Sequence, residues 1–422
     1  MDFVTILIFF GFLILVLYET KEKILGIFFF ISIAMASQVI GIYLFQHVFP
    51  SQRSIVTLFL FDISIAGIWV GIRIYKLLFS KKPPLPKTES ENTKLTFPIS
   101  FRWLMVFVFV LIIILFYSFV DYYIPLLTAN SQIAKLQFAA GRGIYMRLFK
   151  TFIPITAMFI LAHILAQKPT MNKKFLGITA IIILIILSFF TAYKAWPAYV
   201  LILMFLYYYY TKKHTNPYYF LTTILFSIIT ALGITYFAYR TNIGNTSLLL
   251  LGRMTQNQVL PVIKCVEIAE RDGFRMGSTF TNDIQYLLGT LRIGERPDKV
   301  FAVELYDRLY GSNPNNFTAP PGLVGELFVN FGFIGLFLFS LVFGFFVYIL
   351  HRKTIYSESI QSKIYLLYLL YTALFMVFGG TVIGTLEDLG ISMLLFIIVW
   401  NIYLTVVRLI DTTTVLSTLS NE

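Results

Sequence analysis

The sequence predicts an all-α, polytopic integral membrane protein, and three observations carry that reading. Apolar runs of about 18 to 22 residues recur along the chain, the length that spans a hydrocarbon core of about 30 Å. Charged residues make up 13% of the 422 positions, about half of the roughly 25% found in soluble domains. The runs are continuously apolar rather than alternating, which excludes an outer-membrane barrel. The mean hydropathy of +0.79 agrees.

Charge and proline bound eleven candidate spans, near 3–18, 24–45, 55–78, 101–120, 148–166, 175–191, 197–210, 219–239, 321–350, 364–384 and 389–409. The first run, Phe3 to Tyr18, lacks a basic leader and a small-residue cleavage site, so it reads as a span and not as a signal peptide. Basic residues gather between Lys76 and Arg102, at Lys168, Lys173 and Lys174, at Lys212 and Lys213, and at Arg352, Lys353 and Lys363. With eleven spans all of these connections fall on one side, which the positive-inside rule makes cytoplasmic. The amino terminus is then outside and the carboxyl terminus inside. The chain divides accordingly. Residues 1–239 carry spans one to eight, with a solvated cytoplasmic linker near 79–100. Residues 240–320 form one long extracytoplasmic loop, and residues 321–422 carry the last three spans and a cytoplasmic tail.

The net charge of +12 follows from that loop bias and does not point to nucleic acid. A single cysteine, Cys265, rules out an internal disulfide, and four scattered histidines offer no metal cluster. No metal or other cofactor is expected.

The long loop has helical patterning. Arg253, Asn257, Lys264, Glu267 and Arg271 share one face, with Val259, Val262, Ile263 and Val266 supplying an apolar surface nearby. Pro297 to Tyr310 repeats the pattern with Val300, Phe301, Leu305 and Leu309. Short amphipathic helices lying along the membrane interface are the expectation.

The residues able to carry chemistry lie on the loop side. Arg142 and Arg147 precede the fifth span, Lys194 sits in the hairpin Thr-Ala-Tyr-Lys-Ala-Trp-Pro, and Arg240, Arg253, Arg271, Arg275, Arg292 and Arg296 belong to the loop. Guanidinium forks match phosphate oxygens, and beside a bilayer that points to a lipid-linked phosphate. Such residues also snorkel to ordinary head groups. Pro320-Pro321-Gly322 opens the ninth span, where proline fits a first turn and the free amides favour an anion. Glu326 and Asn330 follow on one face, four residues apart. A carboxylate at that depth needs a partner, either as part of a functional site or in a structural ion pair with a nearby arginine. Gly325, Gly332 and Gly335 read as helix-packing positions. Asp62, Arg73 and His163 are isolated polar residues within spans, and Asp272 and Asp283 read as solvated loop carboxylates.

The run Thr318-Ala-Pro-Pro-Gly-Leu-Val-Gly-Glu-Leu-Phe-Val-Asn-Phe-Gly-Phe-Ile-Gly resembles the O-antigen polymerases, the oligosaccharide repeat-unit polymerases. Family members place one long extracytoplasmic loop before a helix with a similar Pro/Gly-Glu-Asn-Gly pattern. The Gly141-Arg-Gly segment and the hairpin at Lys194 sit where members carry similar features. Many members have Gly-Ser-Arg in that hairpin, whereas this chain has Ala-Tyr-Lys. The resemblance implies a bacterial cytoplasmic-membrane glycosyltransferase that polymerises undecaprenyl-diphosphate-linked oligosaccharide repeat units, with no nucleotide sugar and no metal. A flippase and a chain-length regulator of the same pathway would be its partners. With it goes a mechanism in which Arg240 and Arg253 act catalytically, stabilising the developing diphosphate charge with Arg142 and Arg147, while Arg142, Arg147, Lys194 and Arg292 hold diphosphate and glycan. Glu326 would take the acceptor proton, with Asn330 beside it in the binding site. A glycan ligase of the same architecture and a transporter of lipid-linked oligosaccharide remain alternatives.

Overall fold

The computed structural model describes residues 2–20, 26–48, 51–79, 99–120, 124–128, 131–139, 143–166, 169–193, 195–212, 252, 258–290, 293–311 and 317–419. Among these every regular element is helical. In chain order they are α1 (Asp2–Glu19), α2 (Ile27–Val48), α3 (Gln52–Leu78), α4 (Phe101–Tyr117) and the short α5 (Ser131–Ala139). Next come α6 (Gly143–Ala166), which includes a π-helical turn at Leu148–Phe152, then α7 (Met171–Phe190) and α8 (Ala195–Thr211). The loop supplies α9 (Gln258–Asp272), α10 (Ser278–Thr290) and α11 (Phe301–Tyr310). The chain closes with α12 (Gly322–Tyr356), α13 (Ile360–Phe378) and α14 (Val382–Leu419).

Seven of these helices, namely α2, α3, α6, α7, α12, α13 and α14, are long and apolar enough to cross a membrane, and α1 and α4 are shorter apolar helices. This is the architecture of a multi-pass membrane protein. The expected span near 219–239 lies outside the described residues. Large apolar side chains face outward along these helices, such as Phe109, Phe175, Ile334 and Ile402, as a lipid-facing surface requires.

The bundle's tightest seam joins α3 to α12. A Cβ added at Gly71 would lie 2.1 Å from the Leu341 carbonyl oxygen, and one at Gly344 would lie 2.4 Å from that of Ile68. Only small residues permit such backbone approach, and Ser64 and Ser340 add a hydrogen bond of 2.9 Å across it. Toward the linker-side end, buried Glu19 gathers Arg73 at 2.8 Å and Lys76 at 2.5 Å. Arg73, isolated in the sequence, is therefore paired.

The loop helices fold as the amphipathic pattern requires, with adjusted ends. Within the expected segment 253–271, the described part forms α9, residues 253–257 lying outside the described residues; 297–310 becomes α11, and α10 was not anticipated. Cys265 and Ile268 of α9, Phe301 and Leu305 of α11, and Val329 of α12 form a small core of their own. Around it Arg275 donates to both Glu304 oxygens at 2.5 and 2.8 Å. Arg308 bridges Glu304 and Asp272. Burial works against the Glu304 carboxylate, yet these two arginines hold its pKa below the ordinary range.

Candidate functional site at the loop end of the bundle

The segment carrying Glu326 and Asn330 is not a simple span opening. At Gly332 the backbone takes φ 65° and ψ −161°, which splits α12 into a short buried half-helix and a long span. Only glycine adopts that conformation without strain, and a Cβ there would meet the Phe274 ring at 2.9 Å. Gly332, read from sequence as a packing position, is therefore a chain break. The break deprives two carbonyls of helical donors, and the turn before α10 supplies them. Arg275 N–H donates to Val329 O and Met276 N–H to Asn330 O, both at 2.9 Å. Positive φ at Gly273, Met276 and Gly277 aims that turn.

Side chains complete the junction. Asn330 Oδ1 accepts from the Gly277 amide at 3.1 Å, and its Nδ2 donates to Thr279 Oγ1 at 2.6 Å and to Glu326 O at 2.8 Å. Glu326 Oε1 accepts from Thr279 Oγ1 at 3.0 Å, and Oε2 accepts from the Val382 amide at 2.5 Å. Both Glu326 and Asn330 are fully buried. Among the described residues no arginine pairs with Glu326; it accepts instead from a backbone amide of α14's first turn, where orphan donors and the helix dipole favour a carboxylate. Asp283 of α10 makes a second link to the same place: Thr381 Oγ1 donates to its Oδ2 at 2.8 Å. Asp283 is 3% exposed, which corrects its reading as a solvated loop residue. Burial raises its pKa above the ordinary carboxylate range, opposed by the Thr381 and Gly384 hydrogen bonds.

Beside this junction, α6, α8, α13 and α14 enclose a polar cluster. The π-helical turn of α6 presents Lys150 and Thr151. Lys150 ion-pairs with Asp388, and Thr151 Oγ1 lies 2.6 Å from Tyr368 Oη. Tyr199 packs edge-on against Tyr371 at 4.9 Å. Trp196 stacks on Tyr193 at 4.2 Å and on Phe149 at 5.6 Å. Arg147 lies one residue before the π turn, partly exposed, and its charge acts on Glu387 of α14. Glu387 and Asp388, which lie between the spans expected near 364–384 and 389–409, belong to α14, because the chain reverses earlier, at Gly379–Thr381.

No protein-family model, curated protein or solved structure matches this chain.

Of the catalytic and substrate-binding residues expected from the sequence, Arg147, Glu326 and Asn330 are placed. Arg142, Lys194, Arg240, Arg253 and Arg292 lie outside the described residues. Glu326 and Asn330 spend these polar atoms inside the protein, where they link the loop, α12 and α14. Arg271 and Arg275 are engaged by loop carboxylates, and Arg296 lies 3.9 Å over the Tyr286 ring. Lys150, Tyr199, Tyr368 and Tyr371 had no sequence signal beyond lying within spans. Among the described residues no group of three or more His, Cys, Asp or Glu could hold a metal. The cluster's chemistry is that of cations able to meet a phosphate, carboxylates able to move a proton and stacked rings able to face a sugar.

Proposed function

We propose that this protein is a glycosyltransferase of the oligosaccharide repeat-unit polymerase type, with eleven spans, acting at the extracytoplasmic face of a bacterial cytoplasmic membrane. The observation that carries the reading is the mixed cluster of Arg147, Lys150, Glu387, Asp388 and stacked aromatics beneath a loop fastened to the bundle by Glu326 and Asp283. Support also comes from the likeness of the segment 318–335 to those polymerases.

In the proposed reaction the acceptor sugar hydroxyl attacks the anomeric carbon of the donor glycan. The new glycosidic C–O bond forms as the bond to undecaprenyl diphosphate breaks, and the diphosphate leaves with the electron pair. Arg147 and Lys150 offset the developing charge, aided by the loop cations Arg240 and Arg253. Glu387, partly exposed and facing the same cluster, takes the hydroxyl proton. Glu326 is a positioning residue, since a fully buried carboxylate bonded at both oxygens has no path to the acceptor.

Purified protein incubated with a lipid-linked repeat unit, without nucleotide sugar or metal, should give a ladder of increasing glycan length. Arg147→Ala and Glu387→Gln should shorten the ladder at least a hundredfold in rate while leaving folding intact. Bound substrate with no ladder would overturn the polymerase reading. Transfer of whole polymer to an added acceptor would then favour a ligase, and movement across vesicles a transporter.

A further inference from the structure

A groove of about 850 Å³ runs between α4 and α7, away from the cluster and from the loop. Its walls are apolar along most of their length, with Met105, Val106, Phe109, Leu176 and Ile183 among the lining residues. Several of these are large side chains exposed on the outer surface of the bundle, Phe109 at 64% and Leu176 at 50%. The polar character collects where the two helices begin. There Arg102 and Lys173 line the groove, both exposed, with Ser100 beside them and no carboxylate in the lining.

The backbone adds to this charge. Neither of the residues preceding these helices, Ser100 and Thr170, makes a side-chain capping bond. Two first turns of amide donors and two positive dipole ends therefore sit beside two cations. Both helices start on the side that the basic connections mark as cytoplasmic. A greasy groove on a membrane-facing surface, closed at one end by cations and helix starts, has the two-part chemistry of an anionic phospholipid.

We propose that the α4–α7 groove is a binding site for one anionic phospholipid of the cytoplasmic leaflet, its phosphate held by Arg102 and Lys173 and an acyl chain lying along Val106, Phe109 and Ile183. The site is independent of the transferase reading. A volume of that order falls within the range of dedicated small-molecule sites, and juxtamembrane basic residues are the usual means of selecting anionic lipid.

The test is native mass spectrometry of the full-length protein released from detergent, titrated with phosphatidylglycerol and, separately, phosphatidylcholine. Wild type should retain one phosphatidylglycerol preferentially. R102Q/K173Q should bind it about thirtyfold more weakly, from the contribution of two basic residues at a membrane surface. V106W should also lose it, because the bulkier ring fills the chain-binding part while both cations remain. Thermal unfolding monitored in the same detergent separates misfolded variants from folded ones. Equal retention of the two lipids by wild type, or unchanged phosphatidylglycerol retention in folded R102Q/K173Q, would overturn the proposal. Unchanged retention in V106W would overturn the placement of the acyl chain.

Discussion

Replacing Glu326 with alanine isolates what that side chain holds. The carboxylate accepts from Thr279 Oγ1 at 3.0 Å and from the Val382 amide at 2.5 Å, and both donors are withdrawn from water by the surrounding helices. Leaving a buried donor without an acceptor costs about 1–3 kcal/mol, so the two together weaken the junction by roughly 2–6 kcal/mol. Glu326→Gln keeps one amide oxygen for Val382 and offers an NH₂ group to the Thr279 oxygen, at a cost of about 1 kcal/mol. Hydrogen exchange in detergent reads this directly. In the alanine variant the amides of α10 and of the first turn of α14 should exchange at least thirtyfold faster, the factor that corresponds to about 2 kcal/mol. In the glutamine variant they should stay within about tenfold of wild type. Glycan chain growth should follow the same order, with glutamine retaining most of it and alanine little. Unchanged exchange in the alanine variant would refute the junction. A glutamine variant with native protection and no chain growth would refute the positioning role and make Glu326 the base after all.

Two further outcomes follow from the same region. Gly332→Ala places a Cβ 2.9 Å from the Phe274 ring at positive φ; the backbone term alone is about 1–3 kcal/mol, and a lowered Tm together with faster exchange at Arg275 and Met276 should report it. Asp283 has a raised pKa from burial, so its protonated form is the one the fold prefers, and the charges of Glu326 and Glu387 lie near enough to interact with it. The stability of the α10–α14 contact should be full at pH below the ordinary carboxylate pKa and should fall as pH rises through the shifted value. Exchange of α10 measured against pH should show that slope in wild type and a shallower one in Asp283→Asn, where Glu326 and Glu387 remain beside the contact; equal slopes would remove Asp283 as a source.

Much of the fold could be read from the residues. The apolar runs located the helices, and the i, i+4 spacing of Val262 and Val266 beside Lys264 and Glu267 located α9. The helix α10 was overlooked although Phe280, Ile284 and Leu288 recur at helical spacing; its threonine-rich start reads locally as loop. The site was less legible because its links are long in sequence. Thr381 meets Asp283 across 98 positions and Lys150 meets Asp388 across 238. No local pattern encodes such pairs, and a lysine or a tyrosine inside an apolar run looks like an interface residue. Gly332 was visible as a glycine, but its spacing from Gly325 and Gly335 suggests close packing equally well. What decides between packing and chain reversal is the turn at Arg275–Gly277, more than fifty residues upstream.

That turn also sets an order of assembly. The half-helix of α12 ends on carbonyls completed only by the amides of Arg275 and Met276, and those residues leave the ribosome before α12 does. Until the turn is in place the Val329 and Asn330 carbonyls lack donors at a point where both residues are fully buried. Completion of this half-helix therefore depends on the earlier-made loop segment. A change that only weakens the turn would be felt first in the later-made part of the bundle, from α12 onward.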